Sequence, residues 1–447
     1  MNKLCKISVL AFLSVCFFLE NASSKTFDLH EFTLENGLKV IVAPNHKAPI
    51  IKHIVWYKVG SIDENLGKSG KAHLLEHLMF RGTKTVKDSE FTRIIDENGG
   101  DSNAFTSLDF TAYHQTLDIT RLEVAMFLEA DRMENLNFSH ESFEKERDIV
   151  FQERKQVVEN NPMGGFNERY RSILWSNHPY GRPVIGSDEE IMGFSYQDVM
   201  SFYNSFYSPK NAILVLSGDI TKEEAEILAK KYYGKVKTRD ISDRPNPPVM
   251  DGGFSGVIEV SLPDIASPRI IKDYIAPSYN TDKEKIYALM VLSKILGEDE
   301  TSKLYKDLVV AKKAALSVSS SYNAFARSYG SFSFSVYPKL DLNINKTLQQ
   351  FELSLKKSLS EITEKDVELA KKKMLSGLVY IRDNPGDAAY IVGIMAAIGM
   401  TADEITNYDD SIKNVSFEDV KKAADFLFGS GQNVTAVITP LQGEINE

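Results

Sequence analysis

The sequence predicts an α+β fold built from two related domains, and three observations support this prediction. At 447 residues the chain exceeds the usual size of one domain. Short apolar runs typical of strands recur between long amphipathic segments. A stretch rich in Pro, Asp and Gly, at about 237–256, separates two halves. We therefore expect an N-terminal domain at 25–240, a linker at 241–256 and a C-terminal domain at 257–447.

The long predicted helices carry apolar residues at helical spacing and run from Phe143 to Glu159, Lys222 to Tyr233 and Glu364 to Tyr380. A shorter pattern occurs once in each half. A helix led by Ser195-Tyr196-Gln197-Asp198-Val199 precedes an apolar strand at 211–216 in the first half. A helix led by Ser416-Phe417-Glu418-Asp419-Val420 precedes another at 433–438. This repetition indicates that the two domains arose by duplication.

The first residues are typical of a signal peptide at 1–24. Lys3 and Lys6 precede an apolar run at 7–19, which is followed by polar and small residues. We place the cleavage after Ser24. An uncleaved anchor is the weaker alternative because the run is short for a bilayer. Lipidation at Cys16 is also disfavoured, since Val15 is bulky where a small residue is expected.

The positions of the cysteines and the net charge limit the cellular compartments and the classes of partner that the sequence predicts. Both cysteines, Cys5 and Cys16, lie in the predicted leader, so the mature chain would form no disulfide. The net charge of -10 argues against nucleic acid or an anionic membrane as a partner. The leader lacks the Arg-rich character of an organelle-targeting segment. We therefore predict export, to the periplasm of a Gram-negative cell, over a soluble organelle matrix.

The stretch with the clearest chemistry is His73-Leu74-Leu75-Glu76-His77. On a helix, residues 73 and 77 lie one turn apart, so both imidazoles can bind one ion. Zinc held by two His and one further ligand keeps a position open for water, and a neighbouring carboxylate can accept the proton of that water. The alternative is a pair of ordinary helix histidines.

A third ligand is available in the predicted helix that starts near Ser142. Its carboxylates Glu146 and Glu153 are separated by two helical turns and therefore lie on one side. Either one could complete a site with His73 and His77.

These residues make the chain resemble the inverted-motif zinc peptidases of the pitrilysin and insulinase family, especially the branch that includes mitochondrial processing peptidase. In that family the third ligand ends a helix motif of the type E-R-x-x-V-x-x-E, and Glu153 occupies that place. The resemblance implies one Zn²⁺ per chain on His73, His77 and Glu153, with Glu76 as the catalytic base. It also implies a supporting catalytic role for Glu146, for which a solvated helix carboxylate is the alternative.

The resemblance covers nearly the whole mature chain and also implies the architecture. Each domain would be a mainly antiparallel sheet with helices packed on one side. The metal site would lie on the first domain and face an internal chamber.

A candidate substrate-binding strand follows the turn at Gly99-Gly100. In the family, the segment that resembles Asn103-Ala104-Phe105-Thr106 forms a sheet edge that pairs with the bound peptide. Such backbone pairing accepts many sequences because all peptides share the same main-chain donors and acceptors. The alternative is an ordinary strand paired on both sides.

The remaining histidines lack the spacing of a metal site. We assign His114 a structural role and leave the others unassigned, namely His30, His46, His53, His140 and His178.

The second half departs from the family pattern. Self-sufficient members carry an Arg and a Tyr that reach the substrate, and this chain has Val309 and Leu316 at the matching positions. Neither side chain can donate a hydrogen bond to a developing oxyanion. Some relatives are heterodimers in which a second subunit supplies the pair, so we expect a homologous partner, or otherwise a homodimer. Tyr322 and Arg327 are alternative sources of the missing donors.

The sequence therefore predicts a zinc metalloendopeptidase that acts on short or unfolded polypeptides, with Glu76 as general base and then proton donor. A non-catalytic scaffold or chaperone-like subunit of the same fold is the alternative from another class. A purely structural zinc site is disfavoured because it would leave Glu76 without a role.

Overall fold

The computed structural model describes residues 25–244, 246–250, 255–340, 343–429 and 433–441. The predicted leader, with Cys5 and Cys16, lies outside the described residues. Two mixed sheets with packed helices form the described part of the chain, which confirms the predicted α+β class. No helix within the described ranges is both long enough and apolar enough to cross a membrane.

The first sheet has six strands in the order β1-β2-β6-β3-β5-β4 within the described residues. Only β2 and β6 run parallel, and the other neighbours are antiparallel. The strands are β1 (His30–Thr33), β2 (Lys39–Pro44), β3 (Ile50–Tyr57), β4 (Asp101–Thr106), β5 (Thr111–Asp118) and β6 (Ala212–Gly218). The central strand β6 is buried along its whole length, as its continuous apolar run predicts.

One face of this sheet is covered by helices of the first half. These are α1 (Lys71–Leu78), α2 (Glu90–Glu97), α3 (Leu122–Asn135), α4 (His140–Arg154), α5 (Pro162–Leu174), α6 (Asp188–Met192), α7 (Tyr196–Phe206) and α8 (Lys222–Tyr232). The core on this face joins Val55 and Leu214 of the sheet to Leu75 of α1 and Val199 of α7. The helix α5 is the exception, because it packs on the second sheet.

The second sheet repeats the topology of the first. Its order is β7-β11-β8-β10-β9, which matches β2-β6-β3-β5-β4 strand for strand. Here too a single pair, β7 with β11, is parallel. The strands are β7 (Gly256–Leu262), β8 (Arg269–Ala276), β9 (Ala315–Asn323), β10 (Gly330–Pro338) and β11 (Asn433–Pro440). The shared topology confirms that the two domains are related.

The helices of the second half are α9 (Lys283–Leu296), α10 (Ile344–Ser360), α11 (Glu364–Asp383), α12 (Pro385–Ala397), α13 (Ala402–Thr406), α14 (Tyr408–Lys413) and α15 (Phe417–Gly429). The predicted repeat lies at α7 and α15. Ser195 forms a capping box with Asp198, and Ser416 makes the same bonds with Asp419. The strands that follow, β6 and β11, occupy the same place in their sheets.

The second face of the first sheet is covered by the other half of the chain. Helix α12 packs on β3 and β6, where Ala389 and Val392 join a buried cluster with Ile54 and Val215. The resemblance to the peptidase family implies helices on one side of each sheet. In the first half the helices other than α5 lie on one face of the first sheet, and α12 adds a second layer on the other face that the local pattern did not show.

The exchange is reciprocal, because α5 of the first half covers the second sheet. Phe166 and Leu174 of α5 join a buried cluster with Ala436 and Ile438 of β11. Tyr170 on the same helix donates a hydrogen bond to the carbonyl of Val434 at 2.8 Å. The predicted linker at 241–256 therefore lies between the two sheets in the sequence. It does not divide the helices in the same way, because each sheet is also covered by a helix from the other half.

Candidate metal centre

Helix α1 begins abruptly at Gly70, whose φ of +94° is left-handed and suits glycine. The carboxylate of Glu64 accepts hydrogen bonds from the N–H groups of Gly70 and Ala72 at 3.0 and 2.7 Å. It therefore satisfies donors that the first turn of a helix leaves unpaired. Burial raises the pKa of Glu64 to about 8 despite these two bonds.

Burial of the apolar side of α1 directs the polar side of this helix toward the candidate site. Leu74, Leu75 and Leu78 are fully buried in the core. Since His73 and His77 are one turn apart, they share the opposite, half-buried side of the helix.

Helix α4 packs against α1 and begins at Ser139, whose hydroxyl accepts from the N–H of Ser142. The structure extends this helix as predicted, with a π-helical segment at Lys155–Glu159 after its end. Glu146 and Glu153 both face α1, but they contact different atoms of it.

Three side chains converge between the two helices, those of His73, His77 and Glu153. Glu153 Oε2 lies 3.8 Å from His73 Nε2 and 3.5 Å from His77 Nε2. One ligand atom from each residue lies within 4.8 Å of the other two. The structure thus brings together the three residues that the sequence analysis selected as ligands.

The donor set fits zinc. Ligand atoms bound to one tetrahedral zinc at about 2.0–2.1 Å are about 3.3 Å apart, close to both observed distances from Glu153. Two imidazoles and one carboxylate are also a ligand set of catalytic zinc sites, which keep a fourth position open. A single ion at this place would therefore require only small movements of the side chains.

Two of the three groups, His73 and Glu153, are already in the protonation state that metal binding needs. Burial and the neighbouring His77 lower the pKa of His73 to about 4, so its ring is neutral and can offer a lone pair. The hydrogen bond from His77 lowers the pKa of Glu153, which keeps it ionised. Burial lowers the pKa of His77, but its hydrogen bonds to Glu146 and Glu153 outweigh burial and raise it to about 9. A bound metal would displace that proton.

Glu146 lies behind His77 rather than beside Glu153. Its Oε2 is 3.2 Å from His77 Nδ1, the ring nitrogen that does not face Glu153. Its Oε1 is 2.7 Å from a guanidinium nitrogen of Arg81, and only 3% of its side chain is exposed. A carboxylate in this place orients a metal-binding imidazole and fixes its tautomer. The alternative of a solvated carboxylate is thus wrong, while a catalytic role stays a prediction.

The third polar residue of α1 in this region, Glu76, contacts the predicted substrate strand. Thr106 Oγ1 donates a hydrogen bond to Glu76 Oε2 at 2.5 Å. Burial raises the pKa of Glu76, although the bond from Thr106 and the charge of His77 oppose this. The raised pKa favours a group that both accepts and returns a proton.

The predicted segment Asn103–Thr106 forms most of β4, which pairs only with β5 among the described strands. It is therefore a sheet edge, which the sequence could not show. Ala104 packs toward the core under α1, whereas Phe105 faces the opposite side and contacts Trp56 and Tyr390. The outer backbone of β4 is thus available beside Glu76.

The remaining histidines have other partners in the structure. His53 is buried between Gln115 and Tyr233, and His178 bonds to Ser328. His114 contacts the ammonium of Lys52 at 2.9 Å, in line with its predicted structural role.

The two alternative donors of the second half are bonded elsewhere. Tyr322 donates to the carbonyl of Pro277 at 2.6 Å, and Arg327 pairs with Asp63 at 2.8 Å. Leu316 is 54% exposed on the edge strand β9.

Sequence reasoning missed two residues that support the site, Arg81 and Glu64. Arg81 lies four residues after His77, a spacing that would indicate the same side of a helix, but α1 ends at Leu78 and the turn after it brings Arg81 to Glu146. The signal for Glu64 was weaker, because its contact with α1 depends on how the loop before that helix folds back.

Comparison with known proteins places this geometry in a family. Residues 39–188 match the sequence model described as Insulinase (Peptidase family M16), and residues 193–374 match Peptidase M16 inactive domain. The zinc protease PqqE of Helicobacter pylori is 30% identical over 91% of this chain and 92% of its own length. The chain belongs to peptidase family M16. All five predicted site residues on α1 and α4 lie inside the first M16 match, and none lies in the match described as inactive.

Other relatives and solved structures also match over nearly the full length of this chain. An uncharacterized zinc protease of Bacillus subtilis, YmxG, is 24% identical over 92% of this chain and 98% of its own length. The crystal structure of a protease from Helicobacter pylori superimposes with a TM-score of 0.83 at 29% identity, covering 93% of this chain and all of that one. The first half of the periplasmic protease PqqL of Escherichia coli, at 17% identity and a TM-score of 0.78, shares the fold.

Proposed function

We propose that this chain is an exported zinc metalloendopeptidase that hydrolyses internal peptide bonds of short or unfolded polypeptides. One observation carries the proposal, namely that His73, His77 and Glu153 bring three ligand atoms within 4.8 Å of one another, with Glu76 on the same helix as both histidines. The names of the M16 relatives, which are zinc proteases, support the choice of metal.

In this proposal three residues bind the metal and a fourth transfers protons. Zinc held by His73, His77 and Glu153 would polarise a water molecule and the carbonyl of the scissile bond. Glu76 accepts a proton from the attacking water and then donates it to the leaving amine. Its half-buried position, with one bond from Thr106, holds the carboxylate in a fixed orientation for both transfers.

The edge strand β4 would hold the substrate. Its inner side pairs with β5, so the N–H and C=O groups of its outer side can pair with an extended peptide. Because Thr106 of β4 contacts Glu76, a peptide bound along this edge passes the proton acceptor. Asn103, Ala104 and Phe105 continue the same edge away from it.

The test is hydrolysis of an unstructured fluorogenic peptide by the zinc-loaded mature chain. Glu76→Gln should lower kcat by about 10²–10⁴-fold while about one zinc per chain remains bound. Glu97→Gln is the matched control, since Glu97 is an exposed helix carboxylate whose side chain is 60% accessible. Equal turnover by Glu76→Gln and the wild type would reject Glu76 as the base. Bound zinc without turnover in any preparation would favour the scaffold role.

We also propose that full activity needs a homologous second subunit, because Val309 and Leu316 cannot donate hydrogen bonds to the substrate. The purified chain alone should then turn over slowly, and Val309→Arg with Leu316→Tyr should raise kcat by about tenfold or more. Solution mass would separate a monomer awaiting its partner from a homodimer. High activity of the isolated wild-type chain, unchanged by the double substitution, would contradict this.

Export rests on the leader pattern and on the fold shared with a periplasmic relative. We expect the N-terminus of the mature protein from a native extract to be Lys25. An intact Met1 in that extract would contradict cleavage.

A further inference from the structure

The two halves meet at a buried cluster of charged groups, which we call the junction cluster and define as Asp63, Asp109, Arg244 and Arg327. Asp63 belongs to the first half, Arg244 to the linker and Arg327 to the second half. The side chain of Asp63 is 1% exposed and those of both arginines are 15% exposed. Buried charges of this kind hold one geometry because each needs its partner.

Asp63 is the centre of the cluster. Arg244 donates to its two oxygens at 2.9 and 2.8 Å, and Arg327 donates to Oδ1 at 2.8 Å through one guanidinium nitrogen. The backbone of Arg327 also donates to the carboxylate of Asp109 at 3.0 Å, and Arg244 donates to the carbonyl of Asp109 at 2.9 Å. The second half is thus bonded to two points of the first.

Each of those two points belongs to a segment that leads to the candidate site. Asp109 lies in the turn at 107–110, which directly follows Thr106 at the end of β4. The loop at 60–63 pairs with this turn, since the N–H groups of Ser61 and Ile62 donate to the carbonyls of Ser107 and Leu108 at 3.1 and 2.9 Å. A Cβ at residue 60 would lie 2.5 Å from both carbonyl oxygens, so this approach requires Gly60.

The next residue connects the cluster to the metal-binding helix. Asp63 is followed by Glu64, whose carboxylate accepts from the N–H groups of Gly70 and Ala72 at the start of α1. Asp63 therefore points to the second half while Glu64 holds the helix that carries His73, Glu76 and His77. If Asp63 and Glu64 moved together, α1 would move relative to β4.

We infer that Arg327 is a positioning residue for the first-half site, acting through Asp63 and Glu64 on α1 and through Asp109 on the end of β4. This inference rests on the proposed peptidase function only for its effect on turnover. It gives the second half a role in catalysis that requires no contact with the substrate. A misplacement of reacting groups by about 1 Å can cost about a hundredfold in rate.

The experiment compares Arg327→Met and Arg327→Lys with the wild type. Amide hydrogen exchange is followed at 60–75 and 101–110, well below the melting temperature, together with kcat, KM and zinc content. Arg327→Met should speed exchange in these two segments by about tenfold and lower kcat by about ten- to a hundredfold, with KM and bound zinc changed much less. Arg327→Lys should keep both kcat and the exchange rates of these two segments close to their wild-type values, because a single nitrogen makes the contact with Asp63.

The control is Lys272→Met, which removes another half-buried ion pair of the second half, with Glu352 at 2.6 Å. It should leave exchange in both segments and kcat unchanged. If Arg327→Met fails to fold, Asp63→Asn is measured in its place, and the same pattern is expected.

Unchanged exchange at 60–75 and 101–110, or an increase that is equal in every segment, would overturn the inference. The exchange result does not depend on turnover. An inactive wild type would reject the proposed function and leave this inference to be decided by exchange alone.

Discussion

At the scale of single residues, His77 shows how two neighbouring carboxylates can have different tasks. Glu153 meets Nε2 at 3.5 Å and Glu146 meets Nδ1 at 3.2 Å, so the ring lies between them. A metal on Nε2 would leave Nδ1 protonated and donating to Glu146. His73 lacks such support, since its Nδ1 is buried without a hydrogen-bond partner among the described residues.

This asymmetry predicts the effect of Glu146→Gln. The amide can still accept from Nδ1–H, but it removes the charge that strengthens His77 as a ligand and pairs with Arg81. We expect the Kd for zinc to rise about ten- to a hundredfold, with little loss of kcat at saturating zinc. Competition with a chelator of known affinity measures this. Glu144→Gln, on the exposed side of the same helix, should leave the Kd unchanged.

The sequence could predict His73, Glu76 and His77 as one group because helical spacing alone places them together. It could not separate Glu146 from Glu153 by spacing, since both lie on the same side of α4. Their tasks differ because α4 packs on α1 so that each carboxylate reaches a different nitrogen of the His77 ring. The way in which two helices pack is not a local property of either sequence.

At the scale of elements, the contact between α12 and the first sheet depends on one small residue. A Cβ at Gly393 would lie 2.0 Å from the ring of Trp56, which is fully buried in β3. The helix therefore lies directly against the indole ring, with no space for a larger side chain at residue 393.

We expect Gly393→Ala to lower the free energy of unfolding by about 1–3 kcal/mol through overpacking, even though alanine favours a helix. The matched control is Gly377→Ala in α11, where a Cβ would meet nothing within 4 Å. That substitution should raise stability by about 0.5–1 kcal/mol. Urea unfolding of both variants gives the comparison. A neutral or stabilising Gly393→Ala would show that the two elements separate easily.

The long helices α4, α8 and α11 and the strands β6 and β11 followed from their apolar patterns, whereas the exchange of α5 and α12 did not. Periodicity identifies an apolar side but not the surface that covers it. One signal was present in α12, whose sequence from Ala388 to Ala397 is apolar almost all round. A helix of that kind is buried on several sides.

At the scale of the whole molecule, the interface between the halves contains a histidine that must stay neutral. His178 accepts from the N–H of Tyr180 at Nδ1 and contacts the hydroxyl of Ser328 in the second half at 2.9 Å. Burial, with the charge of Arg182, lowers its pKa to about 4. Between pH 6.5 and 4 the unfolded chain therefore binds a proton that the folded chain excludes, so stability decreases as the pH falls through this range.

We expect this one group to lower the free energy of unfolding by about 1 kcal/mol between pH 7.5 and pH 5.5. Denaturant unfolding of the metal-free protein at several pH values measures the slope. His178→Gln should make the slope shallower by this amount, because an amide offers the same acceptor and donor without titrating. An identical slope for His178→Gln would exclude this residue as the cause.

The reciprocal covering of the sheets also sets an order of events during synthesis. When β6 has left the ribosome, the first sheet has all its strands, yet the face that includes Ile54 and Trp56 has no cover until α12 follows. The whole second sheet except β11 is made in between. At about 5–20 residues per second, that interval is on the order of ten seconds or more. A first sheet that formed before α12 was made would expose this apolar face, so we expect the sheet to reach its final packing only after α12 has been synthesised.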